Sequence, residues 1–65
     1  SPYAQSIGGG SIVVYDGKGK HVLIATVDGK TISDTIISDN EAVFSPGKGL
    51  FVVVIDGISM KLAIY

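Results

Sequence analysis

An aspartate-glycine pair interrupts the longest apolar stretch of this chain. GLFVVVI (Gly49–Ile55) runs into Asp56-Gly57, and ISMKLAI (Ile58–Ile64) follows. Two residues of this kind between apolar runs are a strong short-range hairpin signal. A type I′ turn needs left-handed backbone at both central positions, and its twist matches that of the strands it joins. The turn also fixes the register: Ile55 faces Ile58, Val53 faces Met60 and Phe51 faces Leu62. Side chains in a strand alternate between faces, so Phe51, Val53, Ile55, Ile58, Met60, Leu62 and Ile64 share one wholly apolar face. The other face carries Leu50, Val52 and Val54 beside Ser59, Lys61, Ala63 and Tyr65. Such a ribbon has to bury its greasy side against a second layer.

The same grammar recurs upstream. SIVVY (Ser11–Tyr15) is β-branched and aromatic, as strands prefer, and Asp16–Gly19 follows it as a turn into KHVLIATV. Asp28-Gly29 reads as another two-residue turn, leading into KTISDTII. With Val27 opposite Lys30, Ala25 meets Ile32 and Leu23 meets Asp34. That mixed register calls for a bulge, or for pairing that ends near Ser33-Asp34. SDNE (Ser38–Glu41) breaks the run, AVF (Ala42–Phe44) is a short strand, and SPGKG (Ser45–Gly49) is a rigid turn. No segment holds a helical period. Turn signals about every ten residues predict an all-β fold: a small antiparallel β-sandwich of six to seven short strands, with hairpins at Asp16–Gly19, Asp28-Gly29 and Asp56-Gly57. The opening SPYAQSIGGG, residues 1–10, reads as a flexible lead-in, the end of a linker, or a tight approach to a first strand. Residues 11–65 form a single small β domain.

Size limits what such a domain can do alone. The chain has 65 residues and no cysteine, and below about 70–80 residues one core rarely supplies more than about 3–5 kcal/mol. Help is expected from neighbouring chain, from a partner subunit or from an unusually complete sheet, and the start at Ser1-Pro2 is read as either a piece of a larger protein or an artificial first residue. No run of 18 apolar residues is present, so no transmembrane helix is expected. Five lysines, no arginine and a net charge of -1 lack the basic footprint of nucleic-acid binding.

Chemistry-bearing motifs are missing. His21, the single histidine, has no neighbouring ligand pattern for a metal, and no nucleophile elbow surrounds any serine. The glycines of GGG and DGKGK lack the spacing and the Lys-Ser/Thr ending of a phosphate loop. Asp16, Asp28 and Asp56 stand where turns want aspartate, and with Asp34 and Asp39 they lack calcium-loop spacing. Tyr3, Tyr15 and Tyr65 suit an interface or the margin of a core. The chain is therefore expected not to be an enzyme. No catalytic, cofactor-binding or metal-binding residue is assigned and no cofactor is expected.

Two segments resemble a known family. IVVYDGKGKHV (Ile12–Val22) is similar to the opening, and GLFVVVIDGISMKLAI (Gly49–Ile64) to the closing hairpin, of C-terminal domains from secreted and surface proteins of the Bacteroidetes. Many of these are sorting signals of the type IX secretion system. Tyr15, Asp16, Gly19 and Lys20 carry the likeness in the first segment; Gly49, Phe51, Val53, Ile55 and Lys61 carry it in the second. The loop SDNEAVFSPGKG and the terminal Tyr65 depart from the family's pattern. The resemblance implies a sandwich of about seven strands, a secreted, outer-membrane or cell-surface location, and a non-catalytic accessory role in sorting or attachment through a protein partner. Two alternatives stand beside it: a structural module that oligomerises with a sister subunit, and a sheet fragment of a larger enzyme or ligand-binding protein.

Overall fold

The computed structural model describes residues Ser1–Tyr65 and contains seven strands and no helix. They are β1 (Tyr3–Gly8), β2 (Ser11–Tyr15), β3 (His21–Thr26), β4 (Thr31–Ile36), β5 (Glu41–Phe44), β6 (Gly49–Ile55) and β7 (Ile58–Ile64). They build two antiparallel sheets. The smaller has the order β1-β2-β5 and the larger β4-β3-β6-β7. The expected all-β antiparallel sandwich is the observed architecture.

The hairpin at Asp56-Gly57 forms in the register its turn dictates, with Ile55 opposite Ile58, Val53 opposite Met60 and Phe51 opposite Leu62. Both turn residues have positive φ, 53° and 82°, as a type I′ turn requires. Phe51, Val53, Ile55 and Ile64 of its apolar face are buried, and Met60 and Leu62 are half-buried. Ile58 departs from the pattern at 71% exposure and stays outside the core cluster that Ile55 joins. Ile12 and Val14 of β2 come from across the sandwich, and Val22 and Ile24 of β3 complete the centre. All four are fully buried.

Three expectations need correction. The turn at Asp16–Gly19 is not a hairpin: β2 lies in the smaller sheet and β3 in the larger, so this segment is a corner between layers. It is held by the other corner, residues 37–40. Gly17 N–H donates to the Asn40 carbonyl, Gly19 N–H to that of Ile37, and Ile37 N–H to that of Lys20. A local turn signal says nothing about which strand the chain pairs with next. The Asp28-Gly29 hairpin exists, but three residues, Val27 to Gly29, lie inside the closing Thr26 N–H bond to the Lys30 carbonyl, with Gly29 at φ 98° and Gly29 N–H bonded to the Thr26 carbonyl. Leu23 does face Asp34, while Ala25 faces Thr31 and the register slips between Ile24 and Ala25. A type I turn followed by a left-handed glycine makes this kind of bulge. Finally, residues 1–10 are more than a lead-in. Tyr3–Gly8 is β1, paired along β2, and Gly8, Gly9 and Gly10 make the tight return with φ of 88°, 64° and 76°.

Candidate functional site

The two long sides of the sandwich are finished differently. On one side β1 and β7 close the gap. The Ser6 hydroxyl donates to the Ala63 carbonyl, and Gly10 N–H donates to the Tyr65 carbonyl at 2.8 Å. Gly10 in turn accepts from Gly47 N–H at 3.0 Å, so the β1–β2 turn, the β5–β6 connection and the chain end are laced together.

The opposite side stays open. The smaller sheet ends at β5 and the larger at β4, and a groove of about 410 Å³ lies between them, lined by residues 35–39 and 41–44. With three strands against four, the smaller sheet has no strand opposite β4. Ile37 plugs the floor at 6% exposure, packed against the core. Above it the groove stays accessible: Thr35 and Ile36 are exposed, and Phe44 is half-buried.

An edge strand offers unpaired N–H and C=O groups to any extended chain, and natural proteins usually blunt such edges with charge, bulges or short length. β4 is blunted by Asp34 and by its register slip. β5 is short, but apart from Glu41 it is Ala42, Val43 and Phe44. Ala42 and Phe44 pack against the core, and Val43 is 65% exposed. Of the two open edges, β5 is the better template for a further strand.

The residues weighed for chemistry lie apart. His21 contacts Asp34 across β3 and β4 on the exposed outer face, and Lys20 reaches Asp56 at 3.4 Å. Asp16 and Asp56 occupy left-handed turn positions, and Asp28 accepts from the Thr26 hydroxyl. No three His, Cys, Asp or Glu side chains gather as a metal site. Tyr3 and Tyr15 stack at 4.9 Å as a cross-strand pair on the outer face of the smaller sheet. Tyr65 lies at the β1–β7 seam, its hydroxyl 3.5 Å from the Ser6 carbonyl. No helix is long and apolar enough to cross a membrane.

Sequence reasoning did not find the groove. Its two walls belong to different sheets, and nothing in AVF or TISDTI alone says that these strands end their sheets side by side. A family model described as "Domain of unknown function (DUF6383)" matches residues 5–64. No curated protein and no solved structure matches the chain.

Proposed function

The chain belongs to this family of domains of unknown function; we propose, from its open sheet edge, that it is a non-catalytic accessory domain of a secreted or surface protein. It acts in sorting or attachment by taking up an extended segment of a protein partner beside β5. The observation that carries this reading is the missing fourth strand of the smaller sheet, where an apolar edge borders a groove floored by Ile37. A segment added there gains main-chain hydrogen bonds for affinity and sends alternate side chains into the groove for specificity, as strand addition does elsewhere. It would also lie over the inner side of β4. The likeness of Ile12–Val22 and Gly49–Ile64 to type IX sorting domains supports this reading and suggests the apparatus to test.

The test is a fusion of residues 1–65 to the C-terminus of a periplasmic reporter, in a bacterium that has a type IX apparatus. Reporter at the cell surface or in the medium is the expected result. Val43→Lys, which keeps the fold but places a charge on the β5 edge, should cut export several-fold. A folded wild-type fusion that stays in the periplasm would end the sorting role. Export indifferent to Val43→Lys would remove β5 as the contact.

A further inference from the structure

The outer face of the larger sheet has no covering layer, although its two central strands are apolar there. Leu23 of β3 lies beside Val54 of β6, and Ala25 beside Val52. Ala25 is buried and the other three are half-buried, while Leu50, one step further along β6, is 51% exposed. The flanks of this strip differ in sign. Asp34 of β4 adjoins Leu23 on one side, and Lys61 of β7 adjoins Val52 on the other. Each flank belongs to an outermost strand of the same four-stranded sheet.

We propose that this face pairs with the same face of a second copy of the chain, about a two-fold axis parallel to the strands. That operation sets β4 of one copy over β7 of the other and β3 over β6. Leu23 then meets Val54 of the second copy and Ala25 meets Val52, a large-on-large and a small-on-large contact that suit the aligned packing of two twisted sheets. Asp34 then lies over Ser59 of the second copy, in both directions, with Lys61 the next residue along β7 on the same face. Lys61 is two residues, about 7 Å, along the strand from that point, within reach of a lysine side chain. An axis running across the strands would instead bring acid over acid and base over base. The face is self-complementary in one orientation only, which is what an isologous contact requires.

The molecule measures 26 × 23 × 16 Å, so its broadest side is no more than about 600 Å², below the roughly 800 Å² per partner of a standard interface. A contact of that size belongs with weak, reversible associations and not with obligate dimers. It leaves β5 free, so it stands or falls independently of strand addition there.

Sedimentation equilibrium of the 65-residue chain from 10 μM to 2 mM should show a monomer–dimer equilibrium. Asp34→Lys and Lys61→Asp should each raise the dissociation constant at least ~10-fold. The two together should bring it back to within ~3-fold of the original, a rescue that damage to folding would not produce. A chain that is monomeric throughout the range overturns the proposal. So does a dimer whose charge-swapped double variant fails to recover.

Discussion

Gly17 shows how one side chain, or its absence, sets the join between layers. It is buried in the β2–β3 corner. A Cβ placed there would lie 2.5 Å from Ile37 Cδ1 and 3.2 Å from Val14 Cγ1. The backbone at this position lies outside the left-handed region, so the requirement for glycine is steric and not conformational. Ile37 needs that space because it fills the open side of the core. Gly17→Ala is expected to cost about 1–3 kcal/mol, the range for overpacking, as read by urea denaturation. Ile37→Val removes the offending Cδ1 and by itself should cost about 0.5–1.5 kcal/mol. In the double variant the two losses should fall short of their sum by at least ~0.5 kcal/mol, as they do for groups in contact. Strict additivity would mean that the clash is relieved elsewhere.

At the scale of elements, what could be read in advance divides along local and non-local lines. The β6–β7 hairpin was legible because turn and strands agree: a type I′ dipeptide sits between two runs whose alternation selects one register. β1 was not legible. Its inward residues are Ala4 and Ser6, opposite Val14 and Ile12, too small to write an apolar pattern, and the three glycines beside it look like loose chain. The outward strip of β6 was visible as Leu50, Val52 and Val54. Its completion by Leu23 and Ala25 depends on β3 pairing with β6 across an intervening hairpin and strand. Ile55 and Ile58 mark the limit of alternation as a guide to burial. They are direct partners, yet one is 2% exposed and the other 71%: Ile55 packs in the core cluster and Ile58 does not, while the hydrogen bonds that tie β1 and its following turn to this end of the chain lie at Ala63 and Tyr65, away from the hairpin tip. Ile55→Ala should therefore cost about 2–5 kcal/mol, a large share of the roughly 3–5 kcal/mol that a core of this size supplies. Ile58→Thr keeps the β-branched shape and should change stability by no more than about 0.5 kcal/mol. Thermal melts of the pair would decide it, and equal losses would mean that the smaller sheet reaches the hairpin tip.

For the whole molecule the question is what keeps a 65-residue sandwich folded without a disulfide. Residues 1–10 are the place to ask it, since on sequence they read as a flexible lead-in, a linker end or a tight approach to a first strand. β1 is one of only three strands in its sheet, and without it β2 and β5 remain as an isolated pair, which is marginal in water at best. The fully buried Ile12 and Val14 would lose the neighbours that cover them from that side, Ala4 among them. The lacing of three segments at Gly10 would go as well, since its N–H and C=O hold the Tyr65 carbonyl and the Gly47 amide. Each of those bonds is worth only about 1 kcal/mol net. However, a core of this size rarely supplies more than about 3–5 kcal/mol in total, and losing a strand with its seam exceeds that reserve. Deletion of residues 1–10 is expected to abolish the cooperative thermal transition and to collapse the dispersion of amide resonances in a proton–nitrogen NMR spectrum. A dispersed spectrum with a sharp transition from residues 11–65 would show that the larger sheet and β2–β5 carry the fold by themselves. The β1–β7 closure would then be an addition to a domain complete without it.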